Sequence, residues 1–214
     1  MYIYVVRHGE TNANVKGYLQ GWTNDPLNES GRNLAVITGQ RMKDIKFDYC
    51  ISSPLDRAIE TAKIILRESG NKIPITIDDR IKEIHMGDLE GKKFHPGECE
   101  VDMKLLELFF TDTSNFPGTP NGETIDEVCN RTQEFLKELL KRDDDKTYLV
   151  ATHGCAMRAM LNFLYDNPDD FWHGHVPYNL AVNIIEGKNG VYKIIADDKI
   201  YYDSVDIIDR FSTT

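Results

Sequence analysis

The chain has 214 residues, of which 41% are hydrophobic and 28% are charged, and its formal net charge is -10 at pH 7. This length and composition predict one globular domain with a single substantial core. Because so acidic a surface repels nucleic acid and anionic membranes, we expect neither as a partner, and an anionic ligand would need a local cluster of positive charge.

The first quarter of the chain predicts a buried strand, a polar loop and a helix. Residues 2–6 are aromatic or β-branched on both faces, as in the central strands of parallel sheets. A polar loop of about 20 residues follows, which is longer than a simple connection needs and so favours a functional role. Residues 30–44 have a helical pattern.

The rest of the chain predicts alternating strands and helices. Strands are predicted at 47–52, 75–77 and 147–152, and helices at 54–68, 101–110, 124–142 and 155–164. Ser53 has a side chain that can cap the helix beginning at Pro54. Residues 180–196 predict a hairpin that turns at 187–190. This order predicts an α/β fold with a largely parallel sheet and an antiparallel hairpin at one edge, where a second copy could pair to form a homodimer.

The cysteine spacing and the hydropathy of the chain predict a cytoplasmic location. The cysteines form no C-x-x-C pair and have no metal-like spacing; they are Cys50, Cys99, Cys129 and Cys155. Free thiols in this number fit a reducing compartment better than a disulfide framework. No charged segment leads into an apolar run at the N-terminus, and no run approaches the roughly 20 apolar residues of a spanning helix. We therefore expect a cytoplasmic enzyme.

Two histidines follow two of the predicted strands. V-V-R-H-G places His8 at the end of the first strand, and L-V-A-T-H-G places His153 at the end of a later one. If both strands are central in one parallel sheet, both imidazoles face the same crevice. Arg57 lies about one turn inside the predicted helix 54–68, which follows the predicted strand 47–52. With Arg7 these side chains would form a cationic pocket for a phosphoryl group, although each residue alone also has an ordinary structural explanation.

Six motifs occur in a fixed order along the chain. They are R-H-G-E-T at 7–11 with Asn14 shortly after it, Q-G-W-T-N-D-P-L at 20–27, S-x-L-x-R-A-x-x-T-A at 53–62, E-x-x-x-G-x-x-E-G at 83–91, G-E-T at 122–124 and T-H-G at 152–154. R-H-G alone is unspecific, but the ordered set resembles the histidine phosphatase superfamily, the phosphoglycerate-mutase-like fold, over residues 3 to about 185. The acid-phosphatase branch is disfavoured because Thr11 and Asn12 stand where it has arginine and proline.

The resemblance implies a fold and a covalent mechanism. The fold is a three-layer sandwich in one domain, 1–214, with a helical cap inserted at about 92–122. His8 would attack phosphorus and become a phosphohistidine, with its other ring nitrogen held by a backbone carbonyl near Gly9. No metal and no cofactor are implied. The paired residues His173 and His175 have no cysteine nearby in sequence and are interpreted as loop residues.

The resemblance also implies roles for eight further residues. Arg7, Arg57 and His153 would bind the phosphoryl oxygens. Glu83 would act as general acid on the leaving oxygen and then as general base on water. The remaining four would contribute to substrate binding, and they are Asn14, Gln20, Gly21 and Gly154.

Phosphatase and mutase activities share this mechanism. Cofactor-dependent mutases add a lysine after the catalytic glutamate and an arginine pair in the inserted segment, whereas residues 94–130 contain Lys104 and no arginine. Cys155 also stands where the mutases have asparagine. We therefore expect a metal-independent phosphomonoesterase acting on a small metabolite, either α-ribazole phosphate or a broad range. The alternative is a 2,3-bisphosphoglycerate-dependent phosphoglycerate mutase.

Two other classes of function fit the sequence less well. A silent module that only binds phosphorylated ligands would have no need of Glu83. An enzyme on a dinucleotide-binding fold would need a G-x-G-x-x-G loop after the first strand, where this chain has R-H-G.

Overall fold

The computed structural model describes residues 1–94, 98–142 and 144–203. The strands are β1 (Tyr2–Arg7), β2 (Tyr49–Ser52), β3 (Ile75–Ile77), β4 (Thr147–Thr152), β5 (Val182–Lys188) and β6 (Val191–Lys199). The α-helices are α1 (Asn12–Lys16), α2 (Glu29–Arg41), α3 (Asp56–Glu68), α4 (Met103–Thr111), α5 (Ile125–Leu140) and α6 (Gly154–Leu161). Single 3-10 turns lie at Asp79–Ile81, Gly87–Leu89, Thr113–Asn115 and Asn162–Leu164.

The strands form one sheet in the order β3-β2-β4-β1-β5-β6. β1, β4, β2 and β3 pair in parallel, whereas β5 runs antiparallel to β1, and β6 antiparallel to β5. Asn189 and Gly190 connect β5 to β6, and both have positive φ, 54° and 73°, as the tightest hairpin turns require. The predicted mostly parallel sheet with an antiparallel edge hairpin is confirmed.

Helices cover both faces of the sheet. On one face, Ala35 of α2 and Ala58 of α3 share a buried cluster with Leu149 of β4. On the other face, Leu136 of α5 and Met157 of α6 share a second cluster with side chains of β1 and β4. The three-layer sandwich is therefore confirmed. Among the described residues, no helix combines the length and the apolarity that crossing a membrane requires.

A third apolar cluster surrounds α4. Leu106 and Phe109 of α4 are buried in it together with Ile84, Met86 and Cys155. The predicted cap segment thus contains a helix that packs beside the residues following Glu83 and beside the first turn of α6. The bounds of the cap, 92–122, stay a prediction, and residues 95–97 lie outside the described part of the chain.

The sequence predicts a loop after Thr11, but Asn12–Lys16 form α1. Thr11 and Asn14 form a reciprocal capping box, and Gly17 ends the helix in the left-handed conformation, with φ 66°.

The beginning of α3 also differs from the prediction. The helix begins at Asp56 rather than Pro54, and its N-cap is Leu55, which makes no side-chain capping bond. Ser53 is therefore not the cap; its hydroxyl lies 2.7 Å from Nε2 of His153 instead. The hydroxyl also accepts the backbone N–H of Leu55 at 3.4 Å, so it combines a long local hydrogen bond with a shorter tertiary one.

Candidate active site

The sheet brings His8 and His153 together. β1 and β4 are neighbouring parallel strands in which Arg7 pairs with Thr152, so each histidine is the first residue beyond its strand. Their ring centroids are 5.1 Å apart, and the ring planes are tilted by 58°. Both imidazoles are buried, with exposed fractions of 3% and 0%. The crevice predicted at the carboxyl end of the sheet therefore contains both rings.

Nδ1 of His8 lies 2.7 Å from the carbonyl oxygen of Gly9. A carbonyl can only accept, so Nδ1 carries the proton and Nε2 retains its lone pair. Burial, followed by the positive charges of Arg57 and Arg7, lowers the pKa of His8 well below 6.5. The ring is thus neutral at pH 7 and has a nucleophilic nitrogen.

His153 shares the same electrostatic environment. Burial, followed by electrostatic repulsion from Arg57, His8 and Arg7, lowers its pKa well below 6.5. Nε2 is bonded to the Ser53 hydroxyl, whereas Nδ1 is buried and has no hydrogen-bond partner among the described residues. When the Ser53 hydroxyl donates to Nε2, Nδ1 carries the hydrogen and is a buried donor available to a ligand.

Arg57 is fully buried at the beginning of α3. Its Nη1 donates to the carbonyl of Thr23 at 2.6 Å, and its Nη2 to the carbonyl of Gly21 at 2.7 Å. Burial lowers the pKa of Arg57 to about 10, so the guanidinium is still charged at neutral pH. The loop that contains Gly21 and Thr23 therefore fixes the orientation of this cation.

Arg7 is the second buried cation, and its Nη1 donates to the carbonyl of Pro177. The Nε atoms of Arg7 and Arg57 and the Nδ1 atom of His153 are all buried without a hydrogen-bond partner among the described residues. A buried donor left unsatisfied costs about 1–3 kcal/mol. A ligand with several acceptor oxygens, such as a phosphoryl group, would remove that cost.

Glu83 contributes a carboxylate to this crevice and is 8% exposed. Oε1 accepts from the backbone N–H of Ala156 at 2.9 Å and of Ile84 at 3.0 Å, and Oε2 from the N–H of Cys155 at 3.2 Å. Two of these donors belong to the first turn of α6, immediately after His153 and Gly154. The site therefore contains a candidate nucleophile, two cations and a carboxylate that can transfer a proton.

Asn14 and Gln20 meet at Thr11. Oδ1 of Asn14 accepts from the Thr11 N–H at 3.1 Å, and Nε2 of Gln20 lies 2.7 Å from Oγ1 of Thr11. The Oδ1 contact of Asn14 orients its amide, whose NH2 group is a donor. Their role in substrate binding stays a prediction.

The two predicted glycines have different surroundings. Gly21 donates its N–H to Glu90 at 3.0 Å and receives Arg57 on its carbonyl. Gly154 lies against Arg7, because a β carbon there would be 3.5 Å from Nε of Arg7. The contacts of Gly21 are with the protein, so its predicted contact with substrate remains untested.

Glu90 is a site residue that the sequence motif contains but does not explain. Its carboxylate accepts four backbone N–H groups, those of Gly21, Trp22, Thr23 and Met86. Burial alone would raise the pKa of Glu90, but these hydrogen bonds outweigh burial and lower it. Glu90 thus holds the loop that orients Arg57.

Cys155 has the surroundings of an inert thiol. It is buried, and burial raises its pKa well above 9, so little thiolate is present at neutral pH. The two loop histidines contact other residues: His173 stacks on Tyr165, and Nδ1 of His175 lies 2.9 Å from the carbonyl of Val176.

Comparison with known proteins gives one consistent family. The sequence model of the histidine phosphatase superfamily (branch 1) matches residues 3–196. A 2,3-bisphosphoglycerate-dependent phosphoglycerate mutase from Cytophaga hutchinsonii is 31% identical over 175 residues, covering 80% of this chain and 81% of that protein. The uncharacterized phosphatase PhoE of Bacillus subtilis is 35% identical over 161 residues, covering 74% and 75%. The structure of Bacillus stearothermophilus YhfR is 32% identical with a TM-score of 0.84, covering 93% of this chain and 97% of YhfR.

Proposed function

The chain belongs to branch 1 of the histidine phosphatase superfamily, and we propose that it is a metal-independent phosphomonoesterase that works through a phosphohistidine. One observation carries the proposal. His8 keeps a free lone pair on Nε2, because its Nδ1 is bonded to the Gly9 carbonyl. Beside it are three buried nitrogen atoms that have no hydrogen-bond partner among the described residues: Nε of Arg7, Nε of Arg57 and Nδ1 of His153.

The first half of the reaction transfers the phosphoryl group to His8. Nε2 attacks phosphorus, and the bond between phosphorus and the leaving oxygen breaks. Glu83, in its protonated form, gives its proton to that oxygen, so that an alcohol leaves. Arg7, Arg57 and His153 bind the other phosphoryl oxygens, where fixed positive charge stabilises the transition state.

The second half restores the enzyme. The Glu83 carboxylate takes a proton from water, whose oxygen attacks phosphorus as the bond to Nε2 of His8 breaks. Inorganic phosphate leaves, and Glu83 is protonated again for the next cycle. Because Nδ1 keeps its hydrogen bond to the Gly9 carbonyl at 2.7 Å, the ring returns to the tautomer in which it began.

The composition of residues 94–130 favours hydrolysis over mutase activity. A mutase must bind a second phosphate group, but residues 94–130 contain a single lysine and no arginine. Without additional cations there, a bisphosphate would be bound weakly and water could reach the phosphohistidine. One similar protein is called a phosphatase and another a mutase, so both activities belong in the test. α-Ribazole phosphate is one candidate substrate, and a broad range of phosphomonoesters is the other.

The test measures phosphate release from a panel of phosphomonoesters with EDTA present. The panel contains α-ribazole phosphate, and 3-phosphoglycerate with and without 2,3-bisphosphoglycerate. We expect release by the wild type, loss of release in His8→Ala, and retention in His173→Asn, which removes a histidine that stacks on Tyr165 instead. Isomerisation of 3-phosphoglycerate that needs the bisphosphate, without phosphate release, would overturn the proposal in favour of a mutase.

A further inference from the structure

Glu83 lies in a segment without regular structure, between the 3-10 turns Asp79–Ile81 and Gly87–Leu89. In a helix or strand, regular hydrogen bonds would fix the backbone, and an irregular segment needs other partners for its N–H and C=O groups. A general acid must reach its leaving oxygen within hydrogen-bond distance. The partners of this backbone segment therefore decide where the carboxyl group lies.

Arg131 of α5 supplies several of those partners. Its Nη1 donates to the carbonyls of Arg80 at 2.8 Å and Lys82 at 2.6 Å, and its Nη2 donates to the carbonyl of Glu83 at 2.8 Å. One guanidinium thus binds three backbone carbonyls within four consecutive residues. The planar fork of arginine can hold such a set in one orientation, which the ammonium of lysine cannot.

Glu123 holds Arg131 and also binds the same segment. Its two carboxylate oxygens accept from Nε and Nη2 of Arg131, both at 2.8 Å. Oε2 also accepts the backbone N–H of His85 at 2.8 Å. The side chains of Arg131 and Glu123 are only 17% and 18% exposed, so solvent screens this bidentate pair less than a surface pair.

We propose that Arg131, held by Glu123, is the residue that positions Glu83 for proton transfer. The inference rests on the proposed role of Glu83 as general acid. Arg131 binds the backbone up to and including Glu83, and Glu123 binds that of His85 beyond it. The carboxyl group of Glu83 has other partners, which are the N–H groups of Cys155, Ala156 and Ile84. Loss of Arg131 would leave the phosphate-binding cations in place and displace the acid.

Leaving groups of different basicity separate this role from a general loss of structure. An alkoxide is a poor leaving group and needs a proton, whereas 4-nitrophenolate leaves readily without one. A displaced general acid therefore slows hydrolysis of an alkyl phosphate much more than hydrolysis of 4-nitrophenyl phosphate. A general loss of structure would slow both by the same factor.

The experiment compares Arg131→Met and Glu123→Gln with wild type on glycerol phosphate and 4-nitrophenyl phosphate. We compare kcat/KM, which covers the steps up to phosphoryl transfer to His8 and excludes the later water step, where Glu83 acts as base for both esters. We expect kcat/KM on the alkyl ester to fall about tenfold to hundredfold, a part of the roughly 10²–10⁴ that general acid catalysis contributes. On the nitrophenyl ester we expect kcat/KM to change by less than about threefold. Arg32→Met is the matched control, since its guanidinium binds Glu60 on the surface.

A second readout does not depend on catalysis. The backbone N–H groups of Cys155 and Ala156 donate to Glu83, so their amide NMR signals should shift in Arg131→Met and stay unchanged in Arg32→Met. Equal losses on both esters, or unshifted amide signals, would overturn the positioning role. If the wild type hydrolyses neither ester, the proposed function fails, and the two amide signals still decide whether Arg131 positions Glu83.

Discussion

The imidazole rings of His8 and His153 lie 5.1 Å apart at the ends of two neighbouring parallel strands. Burial is the largest cause of the lowered pKa of both rings. Neither ring is therefore charged at neutral pH, and the positive charge of the crevice comes from Arg7 and Arg57. This division leaves His8 free to act as nucleophile beside two permanent cations.

We expect His8 to stay neutral, with its proton on Nδ1, from neutral pH to well below pH 6.5. Between the folded pKa and 6.5 the unfolded chain binds more protons at this position, so the free energy of unfolding should decrease as the pH falls. Nitrogen-15 NMR of the side chains reports both the tautomer and the titration. Titration of His8 near 6.5, or a proton on Nε2, would contradict the account.

Gly21→Ala should displace the loop that holds Arg57. A β carbon at Gly21 would lie 2.2 Å from Oε1 of Glu90 and 2.3 Å from the carbonyl oxygen of Ile84. Overpacking of this kind costs about 1–3 kcal/mol, and the movement of Arg57 should also raise KM. Urea unfolding and steady-state kinetics measure the two effects.

Gly154→Ala is the control for that substitution. A β carbon there has its nearest neighbour, Cγ1 of Val176, at 3.4 Å, an ordinary van der Waals contact. We expect nearly unchanged stability. Equal destabilisation by the two alanines would show that the close packing around Gly21 does not matter.

Glu90→Gln should weaken the same loop by a different route. The variant replaces one carboxylate oxygen by an NH2 group, which cannot accept from the backbone N–H groups now bonded to Glu90. We expect a loss of about 1–3 kcal/mol of stability and a higher KM, measured by urea unfolding and kinetics. Glu60→Gln, at a surface pair with Arg32, is the control and should change neither.

The pH dependence of Glu90→Gln gives a separate check. Hydrogen bonding lowers the pKa of Glu90 below its usual 4.5. Its contribution to stability is therefore complete above pH 4.5 and lost as the pH falls through the folded pKa. The variant should lose less stability than the wild type over this acid range; parallel curves would argue against the role assigned to Glu90.

The sheet and the placement of the two histidines could be predicted from the sequence because both depend on short patterns. An apolar run that ends in R-H-G or T-H-G marks a strand and the residue beyond it, and N-G marks the hairpin turn. The short helix α1 also had a local signal, since Thr11, Asn14 and Gly17 form its two caps. This capping pattern predicts a helix less strongly than the polar composition of the surrounding residues predicts a loop.

The supporting contacts of the site could not be predicted in this way. The Glu90 side chain is hydrogen-bonded to the backbone of residues 21–23, and the Arg131 side chain to the backbone of residues 80–83. Each contact therefore joins segments that are far apart in sequence. Glutamate and arginine are also the usual residues of solvated helix faces. Ser53 shows the same limit, because only the packing of β4 beside β2 brings His153 within reach of its hydroxyl.

The central claim is that His8 carries the phosphoryl group between substrate and water. The most direct measurement is rapid acid-free denaturation during turnover of 4-nitrophenyl phosphate, followed by peptide mass spectrometry. We expect one added phosphoryl group on the peptide that contains His8, labile to acid and absent from His8→Ala. Phosphate release at the wild-type rate with no phosphorylated peptide, or with the group on another residue, would contradict it.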